Sequence, residues 1–173
     1  INLVSGSTVN DIWRRHILDS VQLVKHAPQN PQSWADLGSG GGLPGIVVAC
    51  ILHETSPETK VTLVEADMRK ATFLRNAIRE LDLGSTVIAK RIESVPPLDA
   101  NIVSARALAA LSPLLGYVHR HLSSDGIALL PKGQNAANEV QAAHEDWIFE
   151  CTSHTSMTDP RARVLEIKGL NRA

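Results

Sequence analysis

Aromatic residues are scarce in this chain, with three tryptophans, one tyrosine and two phenylalanines among 173 positions. A surface that binds single-stranded RNA by stacking successive bases needs aromatic faces at close intervals, so the composition argues against a stacking platform. Cysteine is nearly absent. Cys50 lies in an apolar run and Cys151 in a strand-like one, a spacing that suits neither a metal site nor a disulfide framework, and both read as buried thiols in a reducing compartment. The seven histidines are scattered with no HExxH or comparable pair, so no metal is expected. No apolar run approaches the roughly 18–20 residues that span a bilayer and no basic-then-apolar leader opens the chain, so the expectation is a cytoplasmic protein with no membrane partner. Charge of either sign is not in excess: a net charge of -1 and a pI near 6.7 argue against nucleic-acid binding by the whole surface and leave room for a local basic patch. The opening INLV, beginning at Ile1, reads as the interior of something longer, so a preceding N-terminal piece is expected.

Alternating periodicities are what the chain does have. Apolar positions Ile12, Trp13, Ile17, Leu18, Val21 and Val24 recur at helical spacing from Thr8 to about Lys25, with Thr8 or Asn10 as N-cap. After the PQNPQ breaker, SWADLG reads as a buried strand and Pro44 to about Leu52 as a helix with proline in its first turn. Lys60–Ala66 is the next strand, and Arg69–Leu83 the next helix, stopped by Gly84. Strands at Thr86–Arg91, Asn101–Ala105 and Gly126–Leu130 follow, with helical runs through Leu108–Leu122 and Asn135–Trp147. The tail, Ile148–Thr155 and Val164–Lys168, reads as a closing hairpin around DPRA. Strands alternating with helices predict an α/β fold: a doubly wound, mostly parallel sheet with an antiparallel C-terminal hairpin.

In such a sheet the first strand-to-helix turn is the usual ligand site, and here it reads DLGSGGGLPG, Asp36–Gly45. Gly38, Gly40 and Gly42 make a floor without side chains. Gly40, Gly42 and Gly45 satisfy the dinucleotide pattern G-x-G-x-x-G, with Glu65 at ribose-binding distance in sequence. The same layout, with Asp36 two residues before Gly38, also resembles S-adenosylmethionine-dependent methyltransferases, so the loop alone fits two cofactors.

Six ordered stretches separate them: IWRRHILDS (12–20), DLGSGGGLPG (36–45), LVEADMRKATFLR (63–75), RIES (91–94), VSARAL (103–108) and LLPKGQ (129–134). Together they closely resemble the bacterial glucose-inhibited division protein B family, also called RsmG, over essentially the whole chain. The resemblance implies a Rossmann-like class I methyltransferase with a seven-stranded sheet. It implies S-adenosylmethionine as cofactor and methylation of guanine N7 in the 530 loop of 16S ribosomal RNA, with the assembled small subunit preferred as partner and a monomer as the working form. Residues 1–30 then form an N-terminal helical segment, truncated at its start, and 31–173 the methyltransferase domain. The resemblance further implies that Gly38 and Leu43 contact the cofactor, that Ile92 and Glu93 flank its adenine, and that Arg106 lies at the mouth of the site.

The remaining candidates rest on residue chemistry. Glu65 suits two ribose hydroxyls, or else pairs with Arg69. Asp36 either touches the ligand or receives loop N–H groups; Ile92 is an adenine wall or plain core; Glu93 flanks the adenine or only caps the following turn. Arg106 ends a strand, where a guanidinium must be paired or face a cleft; it grips a phosphate or guanine edge, or forms a structural ion pair with Asp36 or Glu65. Lys132 carries the same two readings. Arg14, Arg15 and His16 face RNA, unless Arg15 pairs with Asp19 four residues on and His16 is structural. Guanine N7 has a free lone pair and no proton to lose, so Arg106 and Lys132 are expected to position reactants with no general base. Two rival functions stand beside this one: an NAD-dependent oxidoreductase, for which the lone Tyr117 lacks a lysine partner, and a non-catalytic RNA- or protein-binding module. The MTDP stretch at 157–160 departs from the family pattern and has no assigned role.

Overall fold

The computed structural model describes residues 11–173; the expected N-caps Thr8 and Asn10 and the INLV stretch lie outside the described residues. A π-helical stretch, Trp13–Leu18, runs directly into α1, Asp19–His26. Ser20 Oγ donates to the His16 carbonyl at 2.6 Å, a side-chain bond that competes with the regular ladder where the turns are wide. Then follow β1 Ser33–Leu37, α2 Gly45–Thr55, β2 Lys60–Val64, α3 Met68–Glu80, β3 Thr86–Ile88, a 3-10 turn Ile92–Ser94, β4 Ala100–Ser104, α4 Leu111–His121, β5 Leu122–Lys132, α5 Ala136–Ala143, β6 Trp147–Thr155 and β7 Arg163–Arg172.

The strands form one seven-stranded sheet in the order β3-β2-β1-β4-β5-β7-β6, parallel from β3 to β5 and antiparallel where β7 inserts between β5 and β6. Side chains alternate between faces along each strand. Trp34, Leu63, Ile102 and Leu129 pack with Leu23 of α1, Val48 and Leu52 of α2 and Leu74 of α3, whereas Ala35, Val64, Val103 and Leu130 pack with Leu111–Val118 of α4 and the small residues of α5. Two apolar layers therefore cover one sheet. Burial of this kind stabilises by roughly 25 cal/mol per Å² of apolar surface.

Boundaries differ from expectation in ways with local causes. Pro44 is the N-cap of α2 and not in its first turn. Helix α3 ends at Glu80, and the chain reverses at Asp82, with φ 51° and the Leu83 N–H on the Ile78 carbonyl at 2.9 Å; Gly84 does not stop it. Strand β5 starts directly after α4 and runs longer than its apolar centre. Chain order reverses between β1 and β4, so the loops after these two strands diverge to opposite faces and open a crevice at their carboxyl ends.

Candidate active site

The loop 38–44 leaves β1 and is set by two buried carboxylates. Asp36 is fully buried; its Oδ1 accepts from Ser104 Oγ at 2.7 Å and its Oδ2 from the Gly45 N–H at 3.2 Å, tying β1 to β4 and to the start of α2. Burial raises its carboxyl to about 6 against an ordinary 3.8, although these hydrogen bonds pull the other way. Asp36 does not line the cavity above it; of its two expected roles the structure shows the loop-fixing one. Glu65, at the end of β2, accepts from the Gly40 N–H and the Asp67 N–H, both at 2.8 Å. It does not pair with Arg69, which reaches Asp67 instead at 3.5 Å.

Above the loop lies a cavity of ≈ 450 Å³, a size suited to a nucleoside-bearing ligand, whose floor is Gly38, Ser39, Gly40 and Gly41 with Leu43 alongside. Gly38 holds φ 67°, and a Cβ there would come within 2.8 Å of Leu108 Cδ1. Gly40 holds φ 55°, and a Cβ there would meet no protein atom closer than the Gly38 carbonyl at 3.7 Å, so a side chain would fill the cradle itself. Glu65 forms one end; each of its oxygens has accepted one backbone bond and keeps a second lone pair for a hydroxyl. Ile92, buried, and Glu93, exposed, form the wall opposite, with Tyr117 Oη donating to Glu93 Oε1 at 3.1 Å. Glu93's own backbone N–H, then Tyr117, hold its carboxyl below the usual range. Buried His121 fixes this wall from behind, Nε2 lying 3.1 Å from the Ile92 carbonyl. The residues present therefore fit a nucleoside with a small polar extension. Gly42 and Gly45 are not part of this lining: Gly42 packs on Ile46 and Leu74, and Gly45 on Asp36 and Leu63. Gly45 packs as the third glycine of a G-x-G-x-x-G match does, but the second, Gly42, which would have to let backbone approach a pyrophosphate, is turned into the protein, and this counts against the dinucleotide reading.

Residues 106–109, after β4, stand between this cavity and a second, larger one of ≈ 690 Å³. Arg106 and Ala107 line both. Arg106 does not reach Asp36 or Glu65 as expected of an ion pair; NH1 donates to Asp19 Oδ2 at 3.4 Å and NH2 lies 3.4 Å from His16 Nδ1. Burial, then Arg106, push the His16 imidazole below its ordinary value. Asp19 is consequently not the partner of Arg15, which pairs with Asp11 at 4.0 Å. Lys132 Nζ donates to Glu139 Oε2 and to the Ala109 carbonyl, both at 2.8 Å, and the same Glu139 oxygen accepts the Leu111 N–H at 2.8 Å. Lys132 lines the second cleft with its charge already matched, and what it holds is the wall between the cavities.

That second cleft carries Arg14, Arg15, Arg106, Lys132, Arg161 and Arg163 against Asp11, Asp19, Glu139 and Asp159. Among the expected site residues, Gly38, Gly40, Leu43, Glu65, Ile92, Glu93 and Arg106 gather at the first cavity, and Arg14, Arg15, Arg106 and Lys132 at the second; His16 meets Arg106 from the π-helical stretch. Sequence reasoning missed Asp19, Leu108, Tyr117, Glu139, Arg161 and Arg163. For the last two a signal existed, arginines at alternate positions entering a strand. Among the described residues no group of three or more His, Cys, Asp or Glu is placed to hold a metal ion.

A family model described as GidB, rRNA small subunit methyltransferase G, matches residues 1–166. The chain belongs to the GidB family. GidB relatives named ribosomal RNA small subunit methyltransferase G include one from Ruegeria sp. (strain TM1040), 52% identical over 172 residues, covering 99% of this chain and 83% of the relative. Another, from Paracoccus denitrificans (strain Pd 1222), is 53% identical over 174 residues and covers 100% of this chain and 88% of its own. Among solved structures, M. jannaschii TYW2 in complex with AdoMet superposes with a TM-score of 0.63 at 12% identity, over 99% of this chain and 79% of that one. Precorrin-6y C5,15-methyltransferase from Geobacter metallireducens GS-15 gives 0.57 at 16% identity, over 86% and 84%. At these identities the likeness is one of fold. The GidB chain is thus an enzyme, a Rossmann-like methyltransferase whose cofactor is S-adenosylmethionine, and the oxidoreductase alternative falls.

Proposed function

We propose that this chain methylates N7 of a guanine in the 530 loop of 16S ribosomal RNA, acting as a cytoplasmic monomer on the small ribosomal subunit. One observation carries the reading: Arg106 stands in the common wall of a glycine-floored cavity and a cleft rich in arginine. The GidB family description supports the RNA class. No helix among the described residues is long and apolar enough to cross a membrane.

S-adenosylmethionine, when bound, supplies an electrophilic methyl group carried on a positively charged sulfur. Glu65 is placed to accept from ribose hydroxyls, Gly38 and Gly40 to let the ligand approach backbone closely, and Ile92 with Glu93 to hold the base. Guanine N7 attacks with a lone pair that bears no proton, so no side chain has to act as base. Arg106 orients the guanine edge or its phosphate from the cleft side by a planar fork. Lys132 acts through the wall, holding the Ala109 carbonyl so that Arg106 and Leu108 keep their places. Fixing near-attack geometry is worth roughly 7–11 kcal/mol in favourable cases, enough for positioning to dominate here. The test is to map 7-methylguanine in 16S RNA from cells with and without the gene: loss of one methylated guanine in the 530 loop is expected, and an unchanged pattern would overturn the reading.

A further inference from the structure

The β6–β7 connection, residues 156–162, returns beneath the N-terminal helix and is held there firmly. Thr158 Oγ1 donates to Asp19 Oδ1 and the Met157 N–H to Gln22 Oε1, both at 2.9 Å, while the Ser156 N–H donates to the Ala162 carbonyl at 3.1 Å. Arg163 opens β7 between two strands, in register with Lys132 of β5 and Thr155 of β6. Its NH1 donates to the Pro160 and Ala162 carbonyls, at 2.6 and 2.8 Å. Those partners are neutral, so the guanidinium keeps its full charge and its other donors. The neighbouring arginine differs: Arg161 makes two contacts to Asp159, Nε to Oδ1 at 3.2 Å and NH2 to Oδ2 at 3.1 Å, and is neutralised within the turn.

Of the cations that line the cleft, Arg15, Arg106, Lys132 and Arg161 each face an acid. Among the described residues Arg163 and Arg14 have no acidic partner, and they account for the positive excess of the cleft. The two elements that carry them face each other, since Thr158 of the turn donates to Asp19, directly after the π-helical stretch, at 2.9 Å, and Arg14 and Arg163 line the same cleft. A planar fork with unspent donors matches a phosphodiester oxygen pair.

We propose that Arg163 and Arg14 form an RNA phosphate subsite that holds the backbone beside the guanine presented at Arg106. This rests on the RNA reading given under Proposed function. The subsite makes sequence-independent contacts, so its signature is salt dependence and not base preference.

The test titrates small ribosomal subunits from cells lacking the gene, whose 16S RNA is unmethylated at this site, with the full chain at 50 and 200 mM salt, comparing wild type with Arg14→Gln, Arg163→Gln and Arg163→Lys. Each phosphate contact contributes a slope of about 0.7 to 0.9 in log Kd against log salt, so each Gln variant should lower the ratio of Kd at the two salts by about threefold. Arg163→Lys keeps the charge and should keep the ratio. Calorimetric affinity for S-adenosylmethionine should be unchanged throughout. Should Arg163→Gln unfold the turn, Arg14→Gln, whose side chain makes no ion pair among the described residues, still reports. Gln variants with the wild-type ratio, beside a wild type that binds and methylates RNA, overturn the subsite alone. A wild type that neither binds nor methylates RNA overturns the functional reading with it, and an acidic peptide binding as tightly as RNA in an Arg163-dependent way overturns the RNA assignment.

Discussion

The cavity over the glycine loop is braced by backbone N–H groups on carboxylates that are almost out of water, whereas the cleft beside it is braced largely by ion pairs between side chains. Glu65 and Asp36 meet their N–H donors at 2.8 to 3.2 Å and are 8% and 0% exposed. Arg15–Asp11 and Arg106–Asp19 sit at 4.0 and 3.4 Å with more water around them. Backbone bonds on buried acids fix one shape, which suits a ligand that never changes. Partly exposed ion pairs contribute at most about 1 kcal/mol each and exchange readily for a phosphate, which suits a flexible polyanion.

The sharpest way to isolate the first kind of bracing is through its proton. The Asp36 carboxyl is raised from 3.8 to about 6 by folding, so it favours the native state below 3.8, and that contribution is lost as pH rises through 6. Relative to wild type, Asp36→Asn should therefore gain about 3 kcal/mol of unfolding free energy between pH 3.5 and 7, measured by denaturant titration at each pH. A constant difference would show that Asp36 is not buried as a carboxylate. Next in size, Arg106→Ala should slow methyl transfer about a hundredfold while S-adenosylmethionine affinity stays within threefold. Equal losses in a methyl-transfer assay and in calorimetry would assign Arg106 to the cofactor cavity alone and break the division. Glu65→Gln turns an amide donor toward one of two N–H donors and should weaken the cofactor about tenfold by calorimetry with RNA affinity untouched. The smallest effect belongs to Ala107, which holds φ 53°. Ala107→Gly should raise unfolding free energy by less than about 1 kcal/mol, because relief of the left-handed strain is offset by the entropy of glycine, while turnover falls as the wall loosens.

The layers of the sheet were legible in sequence because Trp34–Ala35, Leu63–Val64, Ile102–Val103 and Leu129–Leu130 are adjacent apolar pairs that point to opposite faces. The glycine floor and Glu65 were legible because small residues and strand-end acids mark themselves. Their partners were not. Asp36 finds Ser104 68 positions away, and Arg106 finds Asp19 87 positions back, contacts that arise only once the N-terminal helix lies against the sheet. The reading of Gly84 as a stop failed for a smaller reason: Asp82 tolerates the left-handed conformation and comes first. Lys132 and Glu139 lie only seven apart, yet the strand end and helix between them hide the pairing from any single periodicity.

Arg106 and Ala107 line both cavities, and this gives the two ligands a common account in thermodynamic terms. Leu108 presses on Gly38 from one side while Arg106 is drawn toward Asp19 on the other. Whichever ligand arrives first removes freedom from that shared wall, and the second meets a wall already ordered, so each should tighten the other without any change in overall shape. Linkage makes the two factors equal: whatever S-adenosylmethionine adds to RNA affinity, RNA adds to S-adenosylmethionine affinity. After transfer the same wall would let the loss of one product loosen its hold on the other, so that binding order and release order become two views of a single coupling.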